Sequence, residues 1–412
     1  MSSVEAFKFV KDMAGIGNRW LDTEGESRGR EYILQKFKQF GLEEVHTEEF
    51  AYLHYQPKRS KLEIIRPVRE ILDCQPLEYS ENGEAEGEVV YAGGGTVAEF
   101  KRLDRLGVDL RGKIVAVTSF APFLITPHCE RRGAAGMIVI SDAPKNYIRR
   151  LTAKLDPEAV DPRPPLDKYL ARFPGAITSE GAGELLLTLL SAGKVVARIR
   201  HEAQYTRKTT SNVIGVVRGK VEPMKKVIVG GHYDSQLAGP LVWDNGTGVA
   251  AVLEMARVLS GKHPLRTVVF IAFSAEEIGL LGASAYARQH AEDLAKNAVG
   301  MINLDALSSV FPAENTLWVT RNIEALSRAK AREAGWRVDS VVDPSSFVFS
   351  DYYPFMVLGI PSTWIWQYPP IHPYYHTEKD VLEFIDSKKL LKVIEVNARI
   401  AFHLAYAPRL RR

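Results

Sequence analysis

The residues best able to do chemistry stand at the ends of apolar runs. KVIVGG is followed by His232, Tyr233 and Asp234, and the next loop delivers Asp244 and Asn245 just ahead of an apolar, helix-like stretch. TVVFIAFSA runs into the adjacent pair Glu276 and Glu277, MINL ends on Asp305, and a Pro- and Tyr-rich loop, QYPPIHPYYHTEKD, presents His376. Imidazoles and carboxylates are zinc donors, and a catalytic zinc keeps one position open for water or substrate. Two His and three carboxylates suit two zinc ions if one carboxylate bridges them. Metals held about 3.5 to 4 Å apart polarise a carbonyl and acidify a water together. A further carboxylate must then act as base, and the neighbours Glu276 and Glu277 can divide that labour, one on metal and one facing the water. Each residue has a plainer explanation when taken singly. Asp244 could cap a helix that begins at Gly246, and the two glutamates could be a solvated pair. Two adjacent carboxylates after an apolar strand repel without a cation nearby, so one common cause is the better account.

The elements that must position these residues are legible as periodicity. Lys226 to Gly230 and Thr267 to Phe273 are buried-strand runs, Gly246 to Leu259 is an apolar helix, Ala298 to Leu304 and Thr363 to Trp366 are further strands, and Ser387 to Ala405 is a closing helix. Near-continuous apolar strands alternating with helices predict an α/β fold, with a mixed, largely parallel sheet sandwiched by helices. Active groups in such sheets sit at the carboxyl ends of the strands. The opening segment reads as a helix, with Ser27 placed to cap a run whose apolar positions Tyr32, Ile33, Phe37 and Phe40 end before Gly41. From about residue 68 the texture changes to short β-rich pieces, EVVYAGG and KIVAVTS, up to the Pro-rich run DPEAVDPRPP. This predicts a smaller β-rich inserted domain, with residues 1–67 and 201–412 forming the main domain and 68–200 the insert.

Composition excludes several classes. The chain has 412 residues, 46% apolar and 25% charged, and a net charge of +3, which makes no electrostatic case for nucleic acid or an anionic membrane. The start carries neither a signal-peptide core nor an uncharged run of spanning length, which predicts a cytoplasmic protein. Two cysteines, Cys74 and Cys129, have no second Cys or His at a metal-binding interval, so a structural zinc finger is excluded and a disulfide is possible but not required. The oligomeric state is not readable.

Beyond these readings, the stretches GGHYDS, WDNGTGVAAVLEMARVL, FSAEEIGLLGASAYA, INLDAL, SDYYPFMVLGIPS and YYHTEKD resemble, in order, the co-catalytic zinc metallopeptidase family that includes bacterial leucyl-type aminopeptidases, glutamate carboxypeptidase and the transferrin receptor. GNRWLDTEGESRGREYILQKFKQFGL is similar to the family's opening helix, and GKIVAVTS and RRGAAGMIVIS are similar to the protease-associated domain often inserted in it. The resemblance implies the zinc-peptidase fold and two zinc ions, for which cobalt or manganese can substitute. It places His232 and Asp305 on one ion, Glu277 and His376 on the other, and Asp244 between them. It also implies Glu276 as general base, Tyr375 at the oxyanion, and Asp234 as a partner fixing the His232 imidazole. The expected activity is removal of amino-terminal residues from peptide substrates. The alternatives are a carboxypeptidase, with Arg321 available for a substrate carboxylate, a one-zinc glutaminyl-cyclase-like transferase, and a non-catalytic receptor-like scaffold. Trp243 and Tyr352 stand where many relatives carry Asp and His. These departures bear on pocket shape and substrate class, since neither position is among the five expected ligands.

Overall fold

The structure, a computed structural model, describes residues 1–156, 159–346 and 348–409. Pro157 and Glu158, within the Pro-rich run, lie outside the described residues. Two compact units divide the chain, one of Met1–Tyr52 with Thr209–Arg412 and one of Leu53–Lys208. The crossings fall within the long strands Glu43–Arg66 and Val196–Val217, so no break in texture marks them, and the boundaries expected from composition fall on different residues.

In the first unit the sheet order is Ser340–Val342, Asn315–Val319, Ser362–Gln367, Ala298–Asn303, Glu222–His232, Arg266–Phe273, then the Val213–Val217 end of Val196–Val217. The four inner strands run parallel. Arg266–Phe273 is buried at every residue, as its unbroken apolar run requires of a strand covered on both faces. Helices Ser3–Ile16, Glu24–Phe40, Thr247–Leu259, Arg321–Glu333 and Ser387–Tyr406 flank the sheet, and Thr247–Leu259 buries nearly all of its residues. The result is a mixed α/β fold with a mostly parallel sheet between helices.

One cap differs from its expected position. The second helix starts at Glu24, where the Thr23 side chain accepts from the Glu26 N–H, so Ser27 lies inside the first turn and not before it. A threonine four residues upstream satisfies the orphan donors first. Gly41 closes the helix in the left-handed conformation, φ 77°.

The second unit is β-rich. Gly83–Tyr91, Ile114–Thr118, Gly136–Ile140 and Gly175–Thr178 are parallel, with Cys74–Pro76 antiparallel to the last. Helices Val97–Arg105, Pro122–Arg131 and Glu180–Ala192 accompany them. Cys74 and Cys129 are both free thiols. Among the described residues, no helix is long and apolar enough to cross a membrane.

Candidate metal centre

The expected donors all meet beyond the carboxyl ends of the parallel strands. His232 is the last residue of Glu222–His232, Glu276 and Glu277 follow Arg266–Phe273, and Asp305 follows Ala298–Asn303. Asp244 lies in the irregular turn Val242–Gly246, and His376 in the loop beyond Ser362–Gln367. All six are buried.

Their donor atoms form two sets that share one residue. His232 Nε2 lies 3.1 Å from Asp244 Oδ1 and 3.4 Å from Asp305 Oδ1. His376 Nε2 lies 3.2 Å from Asp244 Oδ2 and 3.1 Å from Glu277 Oε2. Ligands bound at 2.0–2.1 Å to a tetrahedral zinc are separated by about 3.3 Å, so both sets have the spacing of ligand edges. Glu276 Oε2 is farther out, 4.0 Å from His232 Nε2. Grouping by a looser limit, within 4.8 Å, collects His232 with Glu276 and Asp305, and His232 with Asp244 and Glu277. The shorter distances give the more chemically specific division. Neither His232 Nε2 nor Asp305 Oδ1 makes a hydrogen bond, although both are buried. Unpaired buried polar atoms that face one another across ligand-edge distances fit a cation between them.

The surroundings hold the donors in place. Asp234 accepts from the backbone N–H groups of Glu276, at 3.2 Å, and Glu277, at 3.3 Å, and its Oδ1 is 3.5 Å from His232 Nδ1. The carboxylate thereby anchors the glutamate pair, while the Asp234 backbone carbonyl, 3.2 Å from His232 Nδ1, is the nearer partner of the imidazole. Asp244 does not cap the helix: Asn245 Oδ1 accepts from the Gly248 N–H at 2.9 Å, which leaves the Asp244 carboxylate to the two imidazoles. Asp380 accepts from the N–H groups of Trp243, at 2.8 Å, and Asp244, at 3.1 Å. Both glutamates are buried and not solvated.

The electrostatics are those of carboxylates crowded around two imidazoles. Burial alone would lower His376, but the charge of Glu277 and hydrogen bonds with Asp244 and Glu277 push it up to about 10. His232 is raised well above its ordinary value, the charges of Glu276 and Asp305 overcoming burial. Burial pushes Asp244 up, yet both imidazoles hold it well below the usual carboxylate range. Burial first, then neighbouring carboxylates, push Glu276 well above its ordinary range. Tyr375 stacks on His376 with ring centroids 3.6 Å apart, and burial together with the nearby carboxylates raises its hydroxyl well above its ordinary value.

Several site residues escaped the sequence reading. Ser350 donates to Asp305 Oδ2 at 2.6 Å, inside the quoted SDYYPF stretch, and the neighbouring Asp351 carboxylate is buried without a hydrogen bond. Gln236 donates its backbone N–H to Glu277 Oε1 at 3.1 Å. Trp243 stacks on His372, 5.1 Å between centroids, and meets Tyr375 edge-on. Tyr352 stacks on Trp364, whose indole N–H donates to the Asp305 carbonyl at 2.9 Å. Arg321 begins the helix that follows Asn315–Val319. That strand is antiparallel to Ser362–Gln367, with Val319 opposite Thr363 near the amino end of its neighbour. Arg321 therefore lies at the end of the sheet opposite the donors.

Residues 212–401 match peptidase family M28. The chain is 34% identical over 197 residues to aminopeptidase YwaD of Bacillus subtilis (strain 168), covering 45% of this chain and 43% of that protein. It is 26% identical over 390 residues to a glutamate carboxypeptidase 2 homolog of Caenorhabditis elegans, covering 73% of this chain and 50% of that protein. The chain thus spans about half the length of these curated relatives. Among solved structures, an aminopeptidase from Aneurinibacillus sp. strain AM-1 superposes with a TM-score of 0.73 at 25% identity, covering 98% of this chain and 94% of that one. The match to peptidase family M28 falls on the domain that gathers the donors at its strand ends.

Proposed function

We propose that the protein is a two-metal exopeptidase that removes amino-terminal residues from peptides. The observation that carries this reading is the pair of donor sets sharing Asp244. On it, His232 and Asp305 would hold one zinc and Glu277 and His376 the other, with Asp244 common to both sets. Cobalt or manganese can take the same donors. When bound, the ions supply Lewis-acid polarisation of the scissile carbonyl and acidify the attacking water.

The chain's own groups supply the rest. Glu276, set back from the imidazole that Asp244 and Asp305 approach, accepts a proton from the attacking water and returns it to the leaving amine. Tyr375, kept protonated by burial, donates to the oxyanion. Asp234 holds Glu276 and Glu277 by their backbone N–H groups. The β-rich unit Leu53–Lys208 is read as a protease-associated-like insert.

Amino-terminal specificity is supported by the aminopeptidase relatives and by the fate of the arginines. A carboxypeptidase needs a cation for the substrate carboxylate. Arg321 lies at the opposite end of the sheet, and buried Arg19 spends its N–H groups on backbone carbonyls. A one-zinc cyclase-like reading leaves the second complete donor set without a role, and so does a scaffold reading. Free and N-acetylated amino-acid anilides and dipeptides, offered to zinc-loaded protein, test the assignment. Cleavage confined to free amino termini is expected. Cleavage that requires a free carboxyl terminus, or no cleavage, overturns it.

A further inference from the structure

The loop 233–241 joins two of the expected metal donors, His232 and Asp244, without regular secondary structure. Its carbonyls are not served by a neighbouring strand. They are served by two adjacent side chains from the segment between the first two helices. Arg19 Nε donates to Tyr233 O at 2.7 Å, and its Nη1 and Nη2 donate to Pro240 O at 2.7 Å and Leu241 O at 3.0 Å. Asn18 Nδ2 faces Gln236 O at 2.7 Å, Ala238 O at 3.2 Å and Gly239 O at 3.3 Å. The backbone closes the arrangement, with the Arg19 N–H on Ser235 Oγ at 2.9 Å and the Ser235 N–H on Arg19 O at 3.3 Å. The same loop carries the Gln236 N–H that holds Glu277.

We propose that Asn18 and Arg19 are positioning residues of the metal centre: a two-residue template that fixes the loop between His232 and Asp244 and thereby sets the spacing of the donors. The choice of arginine is informative. Burying a guanidinium costs several kcal/mol of hydration, a cost that a purely structural contact between apolar groups would avoid. Arg19 is fully buried, and its fixed fork reaches carbonyls at both ends of the loop, which a lysine point charge cannot. Its charge also faces Asp234, Asp380, Asp244 and Glu277. The arginine therefore serves the loop by hydrogen bonds and the carboxylate cluster by charge.

The proposal rests on the metal-centre reading, and the test separates the two. Metal-free wild type, Arg19→Lys and Asn18→Ala are titrated with zinc against a chromophoric chelator, and the cobalt-loaded forms are compared by visible absorption. Circular dichroism establishes that each variant is folded at the working temperature. Removing an outer-shell partner of a metal ligand weakens metal binding about 10- to 100-fold. R19K is expected in that range, with an altered cobalt spectrum, and N18A lower in it. A residue that only adds stability would lower the melting temperature and leave the zinc affinity of the folded protein unchanged. Wild-type zinc affinity and cobalt spectra in folded R19K, or in N18A should R19K not fold, overturn the template. A wild-type protein that binds no zinc overturns the metal-centre reading and the template with it.

Discussion

Each unit of the molecule buries a polar cluster, and the two differ in what their polar groups face. In the second unit Tyr55, Tyr79, His201 and Tyr205 pack ring on ring, with centroids 5.5 to 6.3 Å apart. Two hydroxyls turn to the backbone, Tyr79 donating to Leu53 O at 2.7 Å and Tyr205 to Ser80 O at 2.6 Å, while the Tyr55 hydroxyl and His201 Nδ1 are buried without a hydrogen bond. Burial holds His201 down at about 4, so it is neutral. In the first unit the imidazoles face carboxylates, are pushed toward the charged form, and include an atom, His232 Nε2, with no hydrogen bond. The difference teaches what to look for in a buried cluster. One set is built of stacked rings with a neutral imidazole, so its orphaned atoms leave no charge to balance. The other gathers carboxylates around two imidazoles at ligand-edge distances, an arrangement that fits a cation.

The comparison can be broken most forcefully at Glu276. Glu276→Gln keeps the shape and both donor sets but removes the proton acceptor, so zinc content is expected to stay unchanged while turnover falls about 10²- to 10⁴-fold. Near-normal turnover would move the base elsewhere. Tyr375→Phe comes next, because loss of one oxyanion donor is worth about 10²- to 10³-fold in kcat. KM is expected to change little, and steady-state kinetics on a free amino-acid anilide read the split.

Asp234→Asn should act more weakly and on a different observable. Zinc affinity is expected to drop about 10-fold, since the glutamate backbone loses a charged anchor and His232 a nearby carboxylate while its bond to the Asp234 carbonyl stays. A chelator competition at neutral pH measures it. The same titration carries a pH signature. With His376 held at about 10 and His232 raised in the metal-free protein, zinc must displace protons, so affinity falls as pH falls and binding heats depend on the buffer's ionisation enthalpy. Buffer-independent heats would contradict the charged-imidazole account.

The second unit offers the smallest effect and the opposite sign. The unfolded chain protonates His201 near its ordinary 6.5, whereas the folded protein resists protonation down to about 4. Its contribution is therefore fully present above about pH 6.5 and is lost as pH falls toward 4, on the order of 2–3 kcal/mol. His201→Phe should flatten that part of the acid-unfolding curve relative to wild type and leave zinc affinity untouched. An identical acid profile would show that His201 does not couple to folding.

What the sequence made legible follows from the range of the interactions. Strand ends and their donors could be read locally, because an unbroken apolar run such as TVVFIAF predicts its own burial and the next ionisable residues fall at its carboxyl end. The parallel inner strands then make convergence of His232, Glu277 and Asp305 a matter of topology. The sharing of Asp244 between two imidazoles was reached only through family resemblance, since His376 lies 132 residues away. Asn18 and Arg19 went unread for the same reason in stronger form. Their partners are more than 200 residues distant, and an arginine beside a helix start looks like a solvated residue until its fork is seen on Tyr233 and Leu241. Ser27 was misplaced as a cap because two capping residues stood within one turn of each other and only geometry decides between them. The crossings between the two units carry no local signal, because the strands Glu43–Arg66 and Val196–Val217 run through them without a turn.

The central claim is that the two donor sets sharing Asp244 each hold an ion, and the most direct test is the metal content of purified, zinc-equilibrated and dialysed protein, determined per chain alongside that of Asp244→Ala. The account predicts about two zinc ions in the wild type, as a bridged two-metal site requires, and loss of both from the variant together with peptidase activity. One zinc or none in a wild type that still cleaves peptides, or two retained without Asp244, would contradict it.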